Sequence, residues 1–81
     1  MTETVDKVKF VFSSVLGVSD ANLSDETSPD NTKEWDSLRA MHLVTMLEDT
    51  FGVQLSTREI MRMRTIWIVR DVLRTKGVAG V

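Results

Sequence analysis

Residues 34–51 read EWDSLRAMHLVTMLEDTF, and their pattern decides the fold. Ala40, Leu43, Val44, Leu47 and Phe51 recur at the spacing that gathers side chains on one face of an α-helix. The spacing predicts a helix over 37–51 with that stripe turned to a core. Leu38 and Met41 fall outside the stripe, roughly 120° around the helix at about 100° per residue. His42, Thr45, Glu48 and Asp49 share or border that side. An apolar pair facing water and rimmed by polar and acidic groups has the character of a docking surface, although single exposed apolar residues are also ordinary.

Before this helix lies a polar run, Ser24 to Lys33, which holds the only proline, Pro29. Ser37 therefore falls at or just inside a helix N-terminus. Unpaired backbone N–H groups and the positive end of the helix dipole favour an anion there. A cap supplied by Asp36 or Ser37 would account for the local pattern by itself.

Working outward, residues 3–16 read as a first helix, with Val5, Val8, Val11, Phe12, Val15 and Leu16 on one stripe and Phe10 well off it. Gly17 is placed to close it. Residues 18–36 form a long acidic connection with Val18 and Leu23 as its anchors and short turns expected at Ser19-Asp20 and Ser24-Asp25. A loop of that length in a small domain is expected to be functional or mobile. Beyond Gly52, Val53 and Leu55 point inward, and Ser56 with Glu59 forms a capping box for a short helix over 57–62. Thr65 caps a last helix over 66–75, whose stripe is Ile66, Val69, Val72 and Leu73, with Trp67 and Ile68 projecting away. Residues 77–81 are expected to fray. The expectation is an all-α fold: a single domain over 1–81, built as a small antiparallel bundle of three main helices and one short one, with a long loop between the first two.

Composition narrows the function. The 81 residues are 42% apolar and 27% charged, ordinary for a globular domain with a modest core. There is no cysteine, which excludes disulfides, thiolate catalysis and a zinc–thiolate site. No basic-then-apolar leader stands at the start and no apolar run approaches the roughly 18 residues of a membrane span, so a cytoplasmic protein without a membrane partner is expected. Residues 58–81 carry six bases and two acids, net +4, while residues 1–57 carry ten acids and four bases, net −6. The basic residues are spaced through an amphipathic pattern rather than massed, so a solvated basic face is expected and nucleic acid is not.

No catalytic constellation emerges. His42 is the only histidine and lies five residues from Ser37 on the same helix. The two directions differ by about 140°, which makes His42 a poor base for that serine. No metal-ligand spacing and no Gly-rich phosphate loop are present. Met41, Met46, Met61 and Met63 supply four of the five methionines and read first as core filling, second as a deformable interior.

With these residues in place, Asp36-Ser37-Leu38 resembles the modification signature of acyl carrier proteins. The likeness covers about residues 5–75 and includes Leu16-Gly17-Val18, Leu43-Val44, Leu47-Glu48, Phe51 and Thr65-Ile66. The resemblance implies that Ser37 is esterified by 4′-phosphopantetheine from coenzyme A, through a separate phosphopantetheinyl transferase working with Mg²⁺. The thiol of that arm would hold an acyl group as a thioester. By the same likeness Asp36 engages the transferase and metal, Leu38 and Met41 meet partner enzymes, and Glu48 and Asp49 are acidic partner contacts. His42 and Thr45 complete that docking surface. The expected partners are the transferase and the acyl-loading and acyl-processing enzymes, and the chain itself is expected to be a monomeric, non-catalytic carrier. Glu34 stands where housekeeping fatty-acid carriers commonly have glycine, Trp35 follows it, and Arg39 and His42 make the helix less acidic than usual. These departures point toward a specialised pathway (polyketide, modified lipid or aminoacyl transfer). An aminoacyl or peptidyl carrier, and an unmodified helical interaction module, are the alternatives.

Overall fold

The computed structural model describes residues 6–81, and among these every regular element is helical. The helices are α1 (Lys7–Leu16), α2 (Ser37–Phe51), α3 (Thr57–Arg62) and α4 (Ile66–Thr75), with one 3₁₀ turn at Asp20–Asn22. Asp6 has extended backbone and caps α1, its carboxylate accepting the Lys9 N–H at 3.2 Å. The first helix therefore starts at Lys7, later than the periodicity predicts. The expected residues 3–5, Val5 included, lie outside the described residues. Gly17 (φ 69°) and Gly52 (φ 64°) end α1 and α2 in the left-handed conformation that only glycine adopts without strain. The Ser56–Glu59 capping box forms with both of its hydrogen bonds.

The start of α1 lies beside the end of α2, so the two run antiparallel. Val8, Val11, Phe12 and Leu16 of α1 meet Leu43, Val44 and Leu47 of α2 and Ile66, Val69, Val72 and Leu73 of α4 in one core. Leu23, Trp35 and Leu55 enter it from the connections. The short α3 buries no residue completely and leans on the core through Ile60, with Met63 just beyond it.

The long connection is tied down rather than loose. Both expected turns form: the Ser19 side chain caps the 3₁₀ turn, and the Thr27 N–H donates to the Ser24 carbonyl at 3.0 Å. Thr27 Oγ1 accepts the Ser24 N–H and Asn31 Oδ1 the Ser28 N–H, each at 2.9 Å. The carbonyls of Thr27 and Asp25 then accept the N–H groups of Ile66 and Trp67, at 3.2 and 3.0 Å. Those are the first N–H groups of α4, which no intrahelical acceptor can reach.

Arg70 completes the attachment. Its guanidinium forks onto both carboxylate oxygens of Asp6, at 2.7 and 3.2 Å, and its Nε donates to Asp25 at 2.8 Å. Three segments remote in sequence are thereby joined at one side chain that is only 13% exposed.

Some expectations are met here and others corrected. Arg58, Arg62, Arg64 and Arg74 of the basic segment stand exposed as expected, and Arg70 and Lys76 are the two drawn in. Besides Arg70, Lys76 pairs with Glu59 at 2.9 Å, Arg62 with Asp71 at 3.6 Å and Arg64 with Asp30 at 3.8 Å. At the tail, the Arg74 Nε donates to the Val81 carbonyl, and Val78 and Val81 are partly buried against the core where the chain turns back after Gly77. Ile68, expected to project away, is half-buried against the core. Of the four methionines, Met46 and Met63 fill space at the core, whereas Met41 and Met61 are exposed.

The Arg70 fork holds the Asp6 carboxyl below its ordinary value of 3.8, against the opposing effect of partial burial. A carboxyl depressed in the folded state contributes stability that is present above its unfolded pKa and lost as pH falls through the folded one. Urea titrations from pH 7 downward should show a loss of stability below about pH 4, and Asp6→Asn should flatten it. Arg70→Ala should cost about 1–3 kcal/mol at neutral pH, less than a fully buried pair would, because both carboxylates can rehydrate.

Candidate functional site

The first turn of α2 separates two tasks that its sequence leaves entangled. Asp36 takes the cap: its Oδ1 accepts the Arg39 N–H at 2.8 Å, and its carbonyl accepts the Ala40 N–H at 2.9 Å. Arg39 reaches back to Asp36 Oδ2 and to the Glu34 carbonyl, both at 3.3 Å, and so braces the entry. Ser37 is the first helical residue and is exposed. Among the described residues nothing bonds to its hydroxyl, and the N–H groups of Ser37 and Leu38 take no acceptor. A nucleophilic oxygen and two free donors thus share the positive end of a four-turn helix.

Trp35 fixes this turn from below. It is 5% exposed and meets Phe12 edge to face, with ring centroids 5.0 Å apart. The sequence reading left Trp35 without a place. The signal was its position just before the cap, where an apolar side chain packs against the fourth helical residue, here Ala40, as a hydrophobic staple.

Beside Ser37 lies an open groove of about 550 Å³ between α2 and the α3 region. Trp35, Ala40, Ile60 and Met63 form its floor, with Met61 and Arg64 on the far side. On the opposite flank of α2, His42, Thr45 and Asp49 line a shallower depression of about 400 Å³ with Ser14, Val15 and Met46.

Of the expected docking residues, Leu38 and Met41 are 68% and 60% exposed, as their helical positions predict. His42, Thr45 and Asp49 are exposed with them. Glu48 is turned to a different task. It is half-buried, and its Oε2 accepts the Leu55 N–H at 2.8 Å, which closes the α2–α3 connection. Among the described residues no cluster of His, Asp and Glu could hold a metal ion, and no helix is long and apolar enough to cross a membrane.

Comparison with known proteins agrees with the geometry. The family model described as a phosphopantetheine attachment site matches residues 6–66. The acyl carrier protein of Thermosynechococcus vestitus is 30% identical over 78 residues, 96% of each chain. A segment of the polyketide synthase ThaG of Burkholderia thailandensis is 50% identical over 36 residues, 44% of this chain and 1% of that one. The chain belongs to the acyl carrier protein family, whose cofactor is a covalent 4′-phosphopantetheine.

Because Asp36 and not Ser37 is the cap, the two substitutions should part. Asp36→Ala should cost about 0.5–2 kcal/mol of stability in urea unfolding. Ser37→Ala should change it by less than about 0.5 kcal/mol. An equal loss at both would return the capping role to the serine.

Proposed function

We propose that Ser37 is the attachment residue and that the protein carries acyl intermediates between enzymes without catalysing a reaction itself. The observation that carries this reading is the unengaged Ser37 hydroxyl at the mouth of α2, with the neighbouring cap already supplied by Asp36. The residues present suit the group. The N–H groups of Ser37 and Leu38 and the helix dipole favour a phosphodiester there, and the adjoining groove gives a flexible arm somewhere to lie. When bound, the arm supplies a thiol that holds the acyl group as a thioester.

Attachment requires the Ser37 oxygen to bond to the phosphorus next to pantetheine in coenzyme A. The pyrophosphate P–O bond breaks, adenosine bisphosphate leaves, and the serine proton passes to a base of the transferase. Nothing in the chain needs to supply that base, and His42 lies on another face of α2. Asp36 keeps a half-exposed carboxylate beside the serine, its Oδ2 paired with Arg39, where a transferase and its Mg²⁺ can approach.

Leu38 and Met41, with Thr45, His42 and Asp49 along the same side, form the surface on which partner enzymes would dock; Glu48 contributes less, since its carboxylate is committed to Leu55. An acyl rather than an aminoacyl cargo is supported by both relatives, one named an acyl carrier protein and the other a polyketide synthase. The departures at Glu34, Trp35 and Arg39 favour service in a specialised pathway. A cytoplasmic setting, where coenzyme A and the transferase meet, fits this role.

Incubation with coenzyme A and a broad-specificity transferase should raise the intact mass by one phosphopantetheine, and Ser37→Ala should abolish the gain. Modification of the Ser37→Ala variant would move the site elsewhere, and an unmodified wild type would favour a plain interaction module. Met41→Glu should leave stability within about 0.5 kcal/mol yet lower kcat/KM of a partner enzyme about tenfold, equivalent to ~1.4 kcal/mol of docking. Unchanged partner kinetics would remove Met41 from the docking surface.

A further inference from the structure

We propose that this carrier keeps its cargo outside the helical bundle, in the open groove beside Ser37, and that Trp35 is the residue that closes the interior to it. The inference rests on the attachment at Ser37 and adds where the cargo lies and which cargo fits.

Two spaces meet behind the serine. The groove offers about 550 Å³. The void on its inner side, bounded by Phe12, Leu43, Leu47 and Val69, offers only about 30 Å³. That is room for a water molecule or two, far less than the groove offers an acyl chain. Trp35, Ala40, Ile60 and Met63 line both spaces, so they are the partition between them.

Within this partition Trp35 is the most deeply buried member. Ala40 offers only a methyl, and Ile60 and Met63 are half-buried where they pack on the core from α3 and its end. The indole, by contrast, is packed edge to face on Phe12, and Phe12 is completely buried. Its backbone is held as well, the Trp35 N–H donating to the Thr32 carbonyl at 3.0 Å and Asp36 capping the next turn. An aliphatic chain entering the core would have to displace the indole from this seat and separate it from Phe12. Close-packed interiors resist such insertion.

The cargo class follows. A long saturated chain finds no interior to enter and can only lie on the surface. A short acyl group fits the groove, between the apolar floor and a rim that carries Asp36 and the largely exposed Arg64. The thioester stays open to water and to partner enzymes whatever the length of the chain.

The test loads wild type and Trp35→Leu with acetyl- and octanoyl-phosphopantetheine from the corresponding coenzyme A thioesters. In wild type the two forms should melt together, the methyl signals of Leu43 and Val69 should be the same in both, and hydroxylamine should cleave both thioesters at the same rate. In Trp35→Leu the octanoyl form should melt several degrees above the acetyl form and shift those methyls. Octanoyl-dependent shifts of Leu43 and Val69 in wild type, with slowed thioester cleavage, would overturn the proposal. The wild-type spectra decide it even if the variant does not fold. A wild type that takes up no phosphopantetheine would instead remove the attachment reading on which it stands, a result seen in the intact mass before any cargo is compared.

Discussion

The guanidinium of Arg70 is the point on which the long loop, and through it the site, depends. It holds Asp6 at the start of α1 and Asp25 in the loop while standing on α4. A domain this small buries too little apolar surface to fix a long irregular segment by packing alone. Here polar contacts add to the packing of Leu23 and Trp35 in fixing the loop. Its carbonyls satisfy the first N–H groups of α4, and its carboxylate completes the Arg70 fork. Arg rather than Lys suits the position, because the planar fork can grip one carboxylate with two donors and still offer Nε to another. What leaves this arrangement is a chain that enters α2 along a defined path, with Trp35 turned in and Ser37 turned out.

That path explains why the serine is available. A helix N-terminus makes demands on nearby side chains, and a serine in the first turn is often consumed in meeting them. Asp36 meets them first, because as the residue before the helix its carboxylate can reach the Arg39 N–H. Arg39 in turn neutralises Asp36 locally and braces the Glu34 carbonyl. The positive end of α2 is left with two N–H groups that no side chain among the described residues satisfies. An anion attached at Ser37, as proposed, would meet the N–H groups that the fold leaves open.

The helices were legible in the sequence because their information is local. A stripe of Val, Leu and Ile at helical spacing, a capping box at Ser56–Glu59 and glycine stops at Gly17 and Gly52 each depend on residues within a turn or two. Ser37 and the exposed pair Leu38 and Met41 were legible for the same reason. Trp35 and Arg70 were not. Trp35 sits in a loop with no periodicity to give its direction, and its partner Phe12 lies on another helix. Arg70 appears in sequence as one base among several, and its two acids are 64 and 45 residues away. The same blindness applied to Glu48, whose helical position points toward the docking side while its carboxylate bends to Leu55. Each of these side chains is long and polar, or aromatic, and its direction is set by tertiary partners rather than by the backbone period.

The faces of α2 therefore divide the work of the protein. Leu43, Val44 and Leu47 hold it in the core. Leu38 and Met41 remain exposed although burying either would stabilise the fold, at about 25 cal/mol for each Å² removed from water. Their exposure is consistent with the direction of the helix: any rotation that buried Met41 would turn Leu43 and Leu47 outward, and with them the larger part of the core. The exposed pair is thus fixed by the buried stripe, and Ser37 is fixed beside it by the cap. The site's three parts, a hydroxyl, an apolar strip and an adjoining groove, keep their relative positions because one rigid helix carries two of them and forms a wall of the third.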